Sequence, residues 1–368
     1  MSRPFRHLVL AAVGGVVLSF GAVGMGLETT PIGPRPEPWF DTGDRADVVA
    51  AYQAEFETGV PELEWRSGDE RCDAGSSPAD YRQASIRRVN YYRAMAGVRA
   101  GVEEEPSFSA KAQRAAMMMS AEGSLTHNPG SSFACFSVVG QEAAANSNLY
   151  LGRTGPRAVD GYIEDPGEKN VDVGHRTTIL HPPTRRMGVG DVGVSSVGSS
   201  ANALWVFDDR VFDEESPSLR PAMREPDRFV AWPPRGYVPT GLVHPRWSLT
   251  AAGRDFTAAE VTMFRPSSPA GEREVPLRVV NRSGATGHVP LPTIVWEPEL
   301  GLDLDGSPEY DIHLIVVVTG VTAAVTGEGG SAKGTPVSYA YSVRIIGRDP
   351  GTELTVAEFL DRLGSTSP

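Results

Sequence analysis

GHRTTILHPPTRRMGVG, residues 174–190, is the stretch on which the fold turns. Its first half reads as a short helical turn that presents His175 and Arg176. Pro182 and Pro183 stop that turn, because proline lacks the amide proton a helix needs and its ring clashes with the preceding turn. A strand begins at Met187. A second strand, NALWVFDD, follows at 202–209. Working back, residues 156–165 form a helix with Ala158, Val159, Tyr162 and Ile163 apolar, and a further helical stretch holds Gln141 and Glu142. Residues 108–122 form a helix with Phe108, Ala112, Ala115 and Met119 in a stripe, which makes Met117 and Met118 core filler. Residues 79–97 form another, with Tyr81, Val89, Tyr92 and Ala96 on one face, Arg82, Arg87 and Arg93 largely elsewhere, and Gly97 as the stop. Helices followed by strands, without strict βαβ alternation, make a mixed α+β sandwich and not a dinucleotide fold.

Outside this block the pattern changes. Residues 26–78 are an extended N-terminal segment punctuated by Pro31, Pro34, Pro36 and Pro38, with a short helix at 45–57. Residues 79–211 are the mixed domain, and 212–247 a proline-rich linker. Residues 248–348 carry EVTMFRP, VPLRVVNR, TIVWEP, YDIHLIVVV and VSYAYSVRIIG, short strands separated by turn residues, which read as a smaller all-β sandwich domain. Residues 349–368 are a tail with a short helix near 355–363. No internal repeat is present.

The 368 residues carry a formal net charge of −12 with no cluster of Lys and Arg. An acidic surface repels phosphate backbones, so nucleic acid is excluded as a partner. Arg3, Arg6 and His7 precede an apolar run from Leu8 to about Met25 that ends among small residues. Residues 1–25 therefore read as a signal peptide, or as a retained anchor, since the run nearly reaches the ~20 residues that span a bilayer. A membrane is a partner only if that segment is retained. The two cysteines, Cys72 and Cys135, read in an exported chain as one disulfide tying the segment before helix 79–97 to the loop after helix 108–122.

The chemistry-bearing candidates are His127, Glu142 and His175. Two imidazoles and a carboxylate suit Zn²⁺ or another divalent ion, or can hold and deprotonate a water. His127 alternatively caps its helix end through a backbone carbonyl, Glu142 neutralises a helix terminus, and His175 is a satisfied core histidine. His181 is an extra ligand or a packing residue at the turn, and Arg176 a structural ion-pair partner. No HExxH and no nucleophile elbow is present.

Four motifs carry a family resemblance. RVNYYRAMAGV (88–98), LTHNPG around His127, GQEAAANS around Glu142 and GHRTTILHPPTRRMGVG together resemble, in order and spacing, the CAP superfamily of cysteine-rich secretory, antigen-five and pathogenesis-related proteins. The resemblance covers roughly 80–210. It implies a three-layer α-β-α sandwich in which two His and two acidic residues line one large cleft, with metal bound through the His pair in some members. On that basis His127 and His175 are metal ligands, and Glu142 and either Glu164 or Asp165 are the acidic, candidate catalytic residues. The chain departs from the pattern at Ala143 and at His181, each usually Asn, and at the undecided Glu164/Asp165 pair. The resemblance implies a secreted protein binding a divalent metal and an extracellular or cell-wall ligand, lipid or glycan. The alternatives are a metal- or Glu-dependent extracellular hydrolase of peptide, ester or glycan, and an adhesion protein with a vestigial cleft, in which Trp232, Trp247 and Trp296 form a binding surface or, more simply, sandwich core.

Overall fold

The computed structural model describes residues 40–56, 59–66, 71–195, 198–208, 229–267, 271–283, 291–301, 308–323 and 336–348. The expected signal segment and the helix near 355–363 lie outside the described residues. The helices are α1 (Arg45–Phe56), α2 (Ala79–Met95), α3 (Pro106–Glu122), α4 (Val138–Ala145), α5 (Gly155–Glu164) and α6 (Gly174–Ile179). Strands β1 (Glu103–Glu104), β2 (Ser147–Leu151), β3 (Arg186–Val192) and β4 (Ala201–Trp205) form one sheet in the order β1-β3-β4-β2. β1 runs parallel to β3, and the other pairs are antiparallel.

Alternation along β3 and β4 builds three layers, because successive side chains of a strand point to opposite faces. Met187, Val189 and Leu204 join the core beneath α2 and α5, with Val89, Tyr92, Val159 and Ile163. Val192, Ala201, Ala203 and Trp205 join a second core beneath α3 and α4, with Ala112, Ala115, Met118 and Ala144. Met117 and Met118 are buried, as their positions in the stripe predict. The two glycines of the Met-Gly-Val-Gly strand face α3. A Cβ on Gly188 would strike Phe108, and one on Gly190 would strike Ala112 and Gln113. Glycine at these two positions is what lets α3 lie directly on the sheet.

The helix face expected to carry arginines outward is partly buried. Arg93 is fully enclosed, and its guanidinium donates to the carbonyls of Arg99, Ile179, His181, Pro182 and Thr184. It clamps the Pro182–Pro183 turn from within. Arg88 is buried against Asp160 and Glu55.

The remaining strands form a sandwich. One sheet orders β10 (Gly271–Val275), β9 (Glu260–Ser267), β13 (Ile312–Ala323), β14 (Val337–Ile346) and β6 (Gly236–Pro239), with β8 (Arg254–Asp255) paired to β13. The other orders β11 (Leu277–Arg282), β12 (Thr293–Pro298), β7 (Trp247–Thr250) and β5 (Val230–Trp232). Ile312, Leu314, Val316 and Val318 of β13 share a core with Trp247, Ile294 and Trp296 of the facing sheet. Trp232, Trp247 and Trp296 are each 0% exposed, so they are core and not a binding surface.

Two sequence expectations are corrected. The stretch 212–247, expected as linker, holds β5 and β6, which pair into both C-terminal sheets; among its described prolines, Pro233 follows β5 directly and Pro239 ends β6. The N-terminal segment, expected to be extended, docks: Phe40 and Val48 enter the core, the amide of Tyr237 donates to Thr42, and Arg45 binds the Asp311 carboxylate at 2.9 Å.

Candidate functional site

His127 lies in the loop after α3, which Gly123 ends in the left-handed conformation. Its Nδ1 is 2.8 Å from the carbonyl oxygen of Ala144 in α4. A carbonyl only accepts, so Nδ1 carries a proton, and in the neutral ring the lone pair is on Nε2. His175 is the second residue of α6. Its Nδ1 is 2.8 Å from Oδ1 of Asp165, the residue that closes α5 in a left-handed conformation. The Asp165 carboxylate is 0% exposed, and its other oxygen accepts from the backbone amides of His175 (3.0 Å) and Arg176 (3.3 Å). A buried carboxylate held by two amides fixes the ring orientation of His175 and, in the neutral ring, the tautomer that has its lone pair on Nε2. Asn148 holds the backbone of the same turn, donating to the His175 carbonyl at 3.1 Å. The Tyr162 ring lies 5.5 Å from the imidazole, and its hydroxyl donates to Asn202 at 2.7 Å.

The two histidines line one cleft of about 540 Å³. Its wall includes His127, His175 and Asp165 with Tyr150, Tyr162 and Lys169.

Residues 86–208 match the family model described as "CAP: Cysteine-rich secretory protein family". This stretch is a CAP domain. No curated protein matches the chain. Among solved structures, the chain is similar to one entitled "Crystal structure of CsuC-CsuE chaperone-tip adhesion subunit pre-assembly complex from archaic chaperone-usher Csu pili of Acinetobacter baumannii", at 10% identity and a TM-score of 0.21. The match covers 38% of this chain and 66% of that one, just under two thirds of its length. A likeness of that size carries no functional argument.

Within the CAP domain the two histidines share the cleft, but the acidic candidates divide. Asp165, not Glu164, lines it. Glu164 faces Arg153 at 3.5 Å. Glu142 is 48% exposed on α4, makes a 2.6 Å ion pair with Lys111, and is not among the cleft-lining residues. Among the described residues no three His, Cys, Asp or Glu side chains assemble into a metal-holding group. The donor set therefore fits a divalent ion only in part: two imidazole nitrogens of the right kind, and no third protein ligand beside them.

Behind the cleft, the buried Arg176 and the partly buried Arg246 join the CAP domain to the β region. Arg176 donates to the carbonyls of Ile163, Glu164 and Arg246 and to the Ser248 hydroxyl. It is no ion-pair partner in the expected sense: its acceptors are carbonyls and a hydroxyl, and burial pulls its guanidinium down to about 10. Arg246 in turn donates to the carbonyls of Asp165 (3.1 Å) and Asn170 (3.0 Å). The residue that orients His175 is thus itself held from the C-terminal region.

Three polar residues escape pattern reading. Asn148, Asn202 and Asp191 alternate with apolar neighbours on β2, β4 and β3, yet all are buried. Asp191 accepts from the Gly155 amide and from Asn202, both at 2.8 Å, and burial pushes its carboxyl up to about 6. His181 is a turn residue and not part of the cleft wall: it is buried, with Nδ1 3.0 Å from the Thr184 hydroxyl.

The expected disulfide is present between Cys72 and Cys135. No helix among the described residues is long and apolar enough to cross a membrane.

Proposed function

We propose that this is an exported binding protein whose CAP cleft takes an extracellular or cell-wall ligand, lipid or glycan, through the Nε2 atoms of His127 and His175. The observation that carries the reading is the His175–Asp165 couple. A fully buried carboxylate holds the imidazole with one oxygen and the backbone amides of the same turn with the other, and that ring's outer nitrogen makes no hydrogen bond among the described residues while the ring lines a cleft large enough for an organic ligand. His127 has the same open nitrogen. The two nitrogens are also the groups that would hold a divalent ion such as Zn²⁺, with water or the ligand completing its coordination. A hydrolytic reading through Glu142 finds no support in its place beside Lys111. An adhesive reading through the tryptophans finds none in their burial.

The test is titration of the full chain with Zn²⁺, phospholipid vesicles and cell-wall glycan fragments, beside a His127→Ala/His175→Ala double variant of unchanged far-UV circular dichroism. Saturable binding of at least one probe, lost in the double variant, is the expected result. Equal binding by both proteins, or none by either, refutes the assignment of this cleft.

A further inference from the structure

A second cleft, of about 710 Å³, opens elsewhere on the CAP domain. We infer that it is a separate binding site for an organic oxyanion, a carboxylate or phosphate carried by an extracellular ligand. One wall is Ala74–Ser77, which follows Cys72 of the disulfide and is held in place by Gln113 donating to the Ala74 carbonyl at 2.9 Å. The other walls come from α2, α3 and the start of α4.

Three cations line it: Arg82, Lys111 and Arg114. The acid in the wall, Glu104, is already paired with Arg82 (2.5 Å) and accepts as well from Gln83 (2.7 Å) and Ser109 (2.8 Å). Lys111 holds Glu142 at the surface. Arg114 makes no ion pair or hydrogen bond among the described residues, so the cleft keeps a surplus of positive charge although the chain as a whole is acidic. The N-terminus of α4 enters at Ser137 and Val139. Ser137 caps only the Gly140 amide, at 3.0 Å, so the amides of Val138 and Val139 lie outside the helix's own ladder and the positive end of its dipole faces the cleft.

An independent observation points the same way. Ser77 lines this cleft, is 4% exposed, and its hydroxyl makes no hydrogen bond among the described residues. A buried hydroxyl without a partner costs roughly 1–3 kcal/mol, so such groups are normally satisfied. An oxyanion in this cleft, which Ser77 lines together with Arg114 and the start of α4, would supply the acceptor. Apolar wall residues Ala110, Val139 and Val189 leave room for the organic body that carries the charge.

The experiment uses the full chain with its disulfide intact, titrated calorimetrically with inorganic phosphate and, separately, with acetate. Saturable binding of either probe is expected, and the tighter one identifies the anion class. Arg114→Gln/Lys111→Met, both partly exposed positions that leave the core untouched, should weaken it by about tenfold or more, as expected when charge-assisted hydrogen bonds are lost. Ser77→Ala should weaken it several-fold. His127→Ala/His175→Ala should leave it unchanged, which separates this site from the histidine cleft. Absence of saturable binding for both probes overturns the inference, as does binding unaltered in Arg114→Gln/Lys111→Met.

Discussion

His181 makes the stability of the CAP domain depend on acid in a way that can be worked out in advance. The imidazole is buried in the turn that Arg93 clamps. Its Nδ1 meets Thr184 and its Nε2 has no partner among the described residues. Burial, with Arg93 and Arg185 adding like charge, pushes its pKa down to about 3. In the unfolded chain it titrates near 6.5. The unfolded state therefore binds a proton that the folded state refuses. The stability present above pH 6.5 is lost as pH falls from 6.5 towards 3. At pH 5 the loss is RT times the logarithm of the ratio of the two binding polynomials, about 2 kcal/mol, and at pH 4 about 3 kcal/mol. The pH 5 figure is set almost wholly by the unfolded value and hardly by how far below 5 the folded one lies. His181→Asn keeps a side chain able to bond Thr184 but has nothing to titrate. Urea unfolding of wild type and variant at pH 7 and pH 5 should show the wild type losing about 2 kcal/mol more than the variant between the two. Identical losses in both proteins would mean that the folded imidazole accepts the proton, and would refute the reasoning.

Four further outcomes follow from the same structure. Asp165→Asn cannot accept all of its present hydrogen bonds, and Zn²⁺ affinity at the histidine cleft should fall about 10–100-fold, the usual effect of losing the carboxylate behind a ligating imidazole, read by competition with a chromophoric chelator. Cys72→Ser/Cys135→Ser opens a loop spanning a sequence separation of 63 residues, which in the chain-entropy model corresponds to about 4 kcal/mol of stability in denaturant titration. Gly190→Ala drives a methyl into the α3 backbone and should destabilise by about 1–3 kcal/mol or prevent folding, seen as a lowered unfolding midpoint or loss to inclusion bodies. Arg246→Ala removes charged donors from the Asp165 and Asn170 carbonyls and should cost about 1.5–3 kcal/mol, while also weakening ligand binding at a cleft it does not touch.

The parts of the fold that were legible in the sequence are those governed by period and punctuation. The α3 stripe, the Pro182–Pro183 stop, the start of β3 and the five C-terminal strands were all readable because each depends on local spacing. What was not legible depends on distant partners. Arg93 reads as a solvent-facing cation until the five carbonyls that surround it, four of them more than eighty residues away, are known. The prolines of 230–247 read as linker because nothing local reveals that β6 finds β14 a hundred residues on. The choice between Glu164 and Asp165 was open for a related reason. Adjacent residues at a helix end diverge by their backbone conformation, and it is the left-handed turn at Asp165 that swings its carboxylate under His175 while Glu164 faces Arg153. Glu142 falls in the helical stretch expected of it, and its motif does not encode the ion pair with Lys111 that its carboxylate makes.

The geometry around Asp165 also bears on why a CAP domain and a β-sandwich share this chain. Asp165 uses its side chain on the His175 ring and on two amides of α6, and its carbonyl on Arg246 from just before β7. Arg176, next to the histidine, returns the connection by donating to the Arg246 carbonyl and to Ser248 within β7. The contacts run both ways across the seam: Arg176 is buried there with its donors spent on both regions, while Arg246 is partly exposed and also pairs with Glu297 at 3.2 Å. The β region is therefore not a passenger attached by a linker. It forms the back of the histidine turn, so the cleft and the sandwich should unfold together, and a CAP fragment ending at residue 211 should hold His175 less firmly than the full chain does.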